Sequence, residues 1–185
     1  MDDETIISLY WARDERAIAE TSSKYGRLCN HIASNILSNY QDREECINDS
    51  YLAVWNAVPD NHPNRFSVFL GRIVRNLALK KYEYISAAKR NPAIVTSLEE
   101  LGDCVSGTDS IESEIEKKNI ENTLNKFLWQ LNEEKRNVFI RRYWYFDSIE
   151  TICKCTGFSQ SKVKSMLYEM RRKLKNYLES EGIKV

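Results

Sequence analysis

Apolar positions recur at helical steps along most of the chain. Ile18, Tyr25, Leu28, Ile32 and Ile36 share one face of an amphipathic helix. A second helix is predicted from about Arg43 to Ala57, with Ile47, Tyr51, Val54 and Trp55 turned to a core. Asp42 is its expected N-cap, and Glu45 three residues later completes a capping-box pattern. Pro59-Asp60-Asn61-His62-Pro63-Asn64 then breaks the period as a turn-rich loop. Phe66, Phe69, Leu70, Ile73, Val74 and Leu77 restart it in a third helix.

Asn91-Pro92 ends that unit. From there to about Asp109 no period is sustained, and Gly102, Ser106, Gly107 and Ser110 predict a linker with at most a short helical turn. Helicity resumes before Leu124, with Leu124, Phe127, Leu128 and Leu131 on one face. The expected fold class is all-α: two small helical domains, residues 1–92 and 119–185, joined by an acidic linker at 93–118.

The sharpest local pattern lies between Ser148 and Leu178. Ile149, Ile152 and Cys153 make a short apolar face, and Thr156-Gly157-Phe158-Ser159 follows. Gly157 suits a tight interhelical turn because it takes positive φ without steric cost. Ser159 can cap the next helix through its hydroxyl. Val163, Leu167, Met170, Leu174 and Leu178 then repeat as an amphipathic stripe. Cys153, Gly157 and Val163 stand where a helix-turn-helix needs a small crossing residue, a turn glycine and a β-branched anchor. Away from that stripe, Ser161, Lys164, Ser165, Tyr168 and Arg172 can donate to phosphates and base edges. An ordinary helical hairpin with a basic outer face produces the same local pattern.

Charge adds a second layer. The totals balance, 27 Lys and Arg against 27 Asp and Glu, but their placement does not. Arg65, Arg72, Arg75, Lys80, Lys81, Lys89 and Arg90 form one basic block against Glu83. From Ser97 to Glu116 every charge is acidic, and Lys162, Lys164, Arg171, Arg172, Lys173 and Lys175 form a second basic block against Glu169. Two basic helical blocks suggest two phosphate-facing surfaces, although any one run also fits a solvated helix face.

The five cysteines are scattered and odd in number, so no disulfide framework is expected. Cys153 and Cys155 lack a second ligand pair, and His31 and His62 lack spaced partners; no metal and no cofactor is expected. No apolar run reaches the roughly 20 residues of a membrane helix. The acidic start, Met1-Asp2-Asp3-Glu4, is unlike a signal peptide, so a cytoplasmic protein is expected. The chain has no Gly-rich phosphate loop, no H-E-x-x-H and no credible Ser/His/Asp set, and is not expected to be an enzyme.

Three segments, in order, resemble bacterial RNA polymerase sigma factors of the extracytoplasmic-function type. D-R-E-E-C-I-N-D-S-Y-L-A-V-W (Asp42 to Trp55) looks like the family's polymerase-binding helix. R-F-S-V-F-L-G-R-I-V-R-N-L-A-L-K-K-Y (Arg65 to Tyr82) is similar to the segment that melts and reads the −10 element. L-N-E-E-K-R-N-V-F-I-R-R-Y-W (Leu131 to Trp144), with the helix-turn-helix after it, looks like the domain that reads the −35 element.

The resemblance implies a factor that binds core RNA polymerase and promoter DNA, and it admits an anti-sigma protein as a further partner. It makes Glu45, Asn48, Asp49, Leu52 and Trp55 the expected polymerase contacts. Asn61 and Asn64, with the helix after them, would capture a flipped base, an extrusion that costs a few kcal/mol. Phe66 and Phe69 are candidate stacking surfaces; the core competes for both, more strongly for Phe69. Arg72, Arg75, Asn76, Lys80 and Lys81 would hold phosphates of the melted region. Ser161, Lys164, Ser165, Tyr168 and Arg172 would face the −35 element. In the family the linker passes through the polymerase's RNA path, and the acidic run here fits either that role or a plain spacer.

The sequence departs from the family at two positions: Met166 stands for a usual Arg, and Glu169 for a common Arg, so −35 specificity does not carry over. A stand-alone helix-turn-helix regulator remains an alternative, as does a sigma-like interaction protein without promoter activity.

Overall fold

The computed structural model describes residues 1–61, 63–85, 96–97, 99–101 and 114–183. It is all-α, with no strand among the described residues. The chain divides into two units, Met1–Asn91 and Pro92–Val185.

The first unit holds α1 (Asp3–Trp11), α2 (Arg16–Ile36), α3 (Tyr40–Ala57), a 3-10 turn at Val58–Asp60, and α4 (Phe66–Ile85). Helices α2, α3 and α4 pack on one another, and α1 closes one side against α2 and the 3-10 turn. Ile6, Tyr10, Ile32, Ile36, Val54 and Phe66 are fully buried between them. The one polar tip in that set is satisfied: Tyr10 Oη and Thr21 Oγ1 lie 2.9 Å apart, and Thr21 donates to the Ala17 carbonyl.

Two local expectations are corrected here. On α2 the buried face is Ala17, Thr21, Cys29, Ile32, Ala33 and Ile36, while Ile18, Tyr25 and Leu28 are half-buried. Four of the six buried residues are small, and the larger Ile18, Tyr25 and Leu28 stand at the border of the buried face. On α3 the N-cap is Asn39, whose side chain accepts from the Gln41 N–H, so the helix starts before Asp42 and no capping box forms. Asp42 and Glu45 are committed instead to Lys81 of α4.

The second unit holds α5 (Glu114–Gln130), α6 (Glu133–Tyr143), α7 (Ile149–Thr156) and α8 (Gln160–Ser180). α8 is the central helix, against which α5, α6 and α7 all pack. Its stripe of Val163, Leu167, Met170, Leu174 and Leu178 is buried as the periodicity implies, and Met166 joins it. Phe127, Leu131, Val138, Phe139 and Ile152 complete the core. The starts of α6, α7 and α8 are each capped by a polar side chain: Asn132 accepts from Lys135 N, Ser148 from Thr151 N and Ser159 from Lys162 N.

Helix α5 begins inside the stretch expected to be linker. Residues 99–101 are helical as well, and Leu101 packs against the core of the second unit. Residues 96–97 are helical too; 93–95, 98 and 102–113, with Gly102, Cys104, Ser106, Gly107 and Ser110, lie outside the described residues, as does His62.

Candidate nucleic-acid and docking interfaces

Helix α3 turns Glu44, Glu45, Asn48, Asp49, Leu52 and Asn56 to solvent, while Cys46, Ile47, Ser50, Tyr51 and Val54 face inward. Leu52 is 57% exposed, an apolar side chain on an otherwise acidic and amide-bearing face. Four of the five expected polymerase contacts therefore lie on one open surface: Glu45, Asn48, Asp49 and Leu52.

Trp55 differs. It is half-buried, with its ring edge-on to Tyr10 and the Arg13 guanidinium 5.3 Å from its centroid. Arg13 holds a left-handed backbone conformation and also donates to the Trp55 carbonyl at 2.7 Å. Trp55 thus anchors the α1–α2 turn and offers a partner only part of its ring. Beside it, a shallow cleft of about 620 Å³ runs between α2 and α3, lined by Glu15, Ile18, Ala19, Ser22, Asn48, Tyr51 and Trp55.

On α4 the exposed stripe is Val68, Arg72, Asn76, Lys80 and Tyr84, led by exposed Arg65. Steps of four keep these residues near one another on the helix surface. Tyr84 is 91% exposed, an aromatic face at the end of a basic row. It was missed in the sequence reading, although its place four residues after Lys80 could have shown it. Arg75 is half-buried, and burial pulls its guanidinium below the ordinary value.

Phe66 cannot be a stacking surface as folded. Its ring is 0% exposed and lies 5.8 Å from the rings of both Tyr10 and Tyr25. Phe69, expected to be the more buried of the two, is only half-buried. The reason is register: Phe66, Leu70, Val74 and Ala78 form the inward row of α4. Asn61 and Asn64 are exposed, and the Asn61 amide donates to the Ala57 carbonyl at 2.7 Å, closing the end of the 3-10 turn.

Lys81 is also less available than its charge suggests. Its ammonium sits 2.5 Å from Glu45 and 3.4 Å from Asp42. Burial works to lower its pKa, but the hydrogen bonds to Glu45 and Asp42 outweigh it and leave the pKa above the ordinary lysine value.

In the second unit, α7 and α8 are joined through Gly157, whose φ of 74° is left-handed. Ser161, Lys164, Ser165, Tyr168 and Arg172 all lie exposed on α8, with Tyr168 61% exposed. Met166 is in the core and does not belong to that surface. Glu169 is exposed and pairs with Lys135 of α6 at 3.4 Å, which partly neutralises it. Lys162 caps the ring of Phe158, 3.4 Å from its centroid.

A buried ion-pair cluster went unseen in the sequence. Glu100 accepts from Arg142 Nη2 at 2.8 Å and Nε at 3.1 Å, from Tyr143 Oη at 3.2 Å and from Arg171 Nη1 at 3.4 Å. Arg142 is only 5% exposed at its side chain and also donates to the Asp147 carbonyl. Burial pushes the Tyr143 hydroxyl up to about 12.

Four of the five cysteines, Cys29, Cys46, Cys153 and Cys155, are among the described residues, all as free thiols. Cys29 and Cys46 are buried, which pushes both thiols up to about 11, and Cys153 and Cys155 are unpaired. Among the described residues no three His, Cys, Asp or Glu side chains are placed to share an ion. No helix among the described residues is long and apolar enough to cross a membrane.

Residues 22–89 match the family model for sigma-70 region 2. That segment is similar to sigma-70 region 2. The resemblance to a bacterial sigma factor is borne out there. The matched segment takes in most of α2, then α3, the 3-10 turn and α4, so it contains both the acidic face of α3 and the basic stripe of α4. No curated protein matches the chain. A solved structure described as CnrH in complex with the cytosolic domain of CnrY is similar at 20% identity, over 96% of this chain and 97% of that one, with a TM-score of 0.45.

Proposed function

We propose that this chain is a sigma factor of the extracytoplasmic-function type, which binds core RNA polymerase and directs promoter recognition, melting and transcription initiation. The observation that carries the reading is the division of labour within region 2. One helix of the matched segment exposes acids around Leu52; another exposes a basic row ending in Tyr84.

In this reading α3 docks on the polymerase through Glu45, Asn48, Asp49 and Leu52, with the rim of Trp55 beside them. An apolar anchor ringed by acids suits a basic, partly apolar partner surface. Helix α4 tracks the strand opened at the −10 element. Arg65, Arg72 and Lys80 meet phosphates, Asn76 reaches base edges, and Tyr84 gives a base a face to stack on. Asn61 and Asn64 flank that path. Phe66 supports it from within.

The second unit acts as a helix-turn-helix. Gly157 makes the turn, and α8 presents Ser161, Lys164, Ser165, Tyr168 and Arg172 to the major groove at the −35 element. Such a protein works in the cytoplasm, without cofactor or catalysis of its own, and an anti-sigma protein fits as a further partner. Residues 1–92 form the polymerase and −10 domain, 119–185 the −35 domain, and 93–118 the connection.

Run-off transcription with core polymerase and a library of promoter fragments tests this. Transcripts that start at defined positions only when the chain is present support the reading. Tight duplex binding without polymerase, and no transcript, would identify a stand-alone regulator instead.

A further inference from the structure

Lys81 stands where the two working faces of region 2 meet. It follows Lys80 on the basic helix, yet its ammonium turns back to α3, 2.5 Å from Glu45 Oε2 and 3.4 Å from Asp42 Oδ1. Two carboxylates on one ammonium leave that cluster net negative. Glu45 keeps 67% of its side chain exposed, within reach of an approaching partner. Lys81 is 19% and Asp42 28% exposed, but the Glu45 end of the cluster is open to water, where an ion pair is weak and easily displaced. A basic surface arriving at α3 competes with Lys81 for both carboxylates; a phosphate arriving at α4 competes with them for Lys81. Both events break the same contacts, so each must favour the other.

We propose that Lys81 is a phosphate ligand held in reserve by Asp42 and Glu45, released when a basic surface occupies α3, so that docking strengthens the grip on DNA. The flexible four-carbon stem of lysine allows the ammonium to swing from the seam toward the Lys80 side. The inference rests on the reading that α3 docks on polymerase and α4 holds DNA. It goes further by linking the two.

The test uses the full chain, purified core polymerase and a fluorescent oligothymidylate of about 20 nucleotides as a single-strand probe. Without polymerase, Asp42→Asn/Glu45→Gln binds the probe more tightly than wild type. Its plot of log affinity against log salt is steeper by about 0.7, the value for one added phosphate contact on a single strand. Adding Lys81→Met to that pair abolishes the gain, because the gain belongs to the freed ammonium. Lys81→Met alone binds core polymerase about two- to fivefold more tightly, since its carboxylates are no longer occupied. Lys81→Arg behaves as wild type in both assays.

A gain that survives Lys81→Met in the triple variant would reflect lost negative charge alone and overturn the inference. So would unchanged polymerase affinity of Lys81→Met. Wild-type chain that fails to bind polymerase at all removes the docking reading together with the inference. Normal binding of both ligands, with variants indistinguishable from wild type, removes only the inference.

Discussion

Replacing Glu100 with Gln removes the charge at the centre of the buried cluster while nearly keeping its shape. Arg142 grips that carboxylate through two nitrogens, and its side chain is only 5% exposed. Removing one partner of a buried pair costs about 3–5 kcal/mol, because the other charge is left uncompensated. Glu100 itself is 23% exposed and admits some water, and Gln still accepts one hydrogen bond, so the low end, about 3 kcal/mol, is the expected upper bound. In a unit of the size of Pro92–Val185 each kcal/mol moves the midpoint by about 4–8 °C. Thermal unfolding of the second unit, followed by Trp fluorescence, should show a fall of several degrees, while the exposed neighbour change Glu99→Gln leaves it within error.

The pH dependence gives a stricter check. Burial alone would raise the Glu100 carboxyl, but the hydrogen bond and charge of Arg142, helped by Arg171 and Tyr143, outweigh it and hold it below the ordinary 4.5. A depressed carboxylate contributes stability that is complete above the unfolded value and is lost as pH falls through the folded value. The gap between wild type and Glu100→Gln should therefore be full at pH 7 and shrink below about pH 4.5. Equal midpoints at pH 7, or a gap that persists unchanged in acid, would refute the reasoning.

Three further outcomes follow from the same geometry. Asp49→Lys reverses charge on an exposed face of α3, so it should abolish co-purification with core polymerase while circular dichroism shows unchanged helix content. Lys164→Ala should weaken duplex promoter binding and lower its salt slope by about 0.9, with polymerase affinity unaffected. Gly157→Ala should cost about 1–2 kcal/mol in urea unfolding through its left-handed φ alone, because an added Cβ there meets nothing within 4 Å.

Helix α8 was legible because its apolar period runs unbroken from Val163 to Leu178 and its cap is local. The same holds for the turn at Gly157. Helix α3 was legible in extent but not at its start: Asp42 and Glu45 have the spacing of a cap, yet Lys81, far along the chain, claims both. On α2, periodicity gave too much weight to large residues, whereas the buried face includes the small Ala17, Thr21, Cys29 and Ala33. Phe66 and Phe69 differ only in register on α4, which composition cannot resolve. Glu100 was hidden for a different reason. Its partners lie 42 to 71 residues away, and one acid in an acidic run carries no mark of a long-range pairing.

The two stripes of α8 do not overlap. Val163, Met166, Leu167 and Met170 hold the fold, while Ser161, Lys164, Ser165, Tyr168 and Arg172 face outward. Substitutions on such an outer surface generally change stability by no more than about 0.5 kcal/mol. Under the proposed function, promoter preference would thus be open to drift, or to deliberate reprogramming, one exposed position at a time, with the scaffold left indifferent to the DNA read.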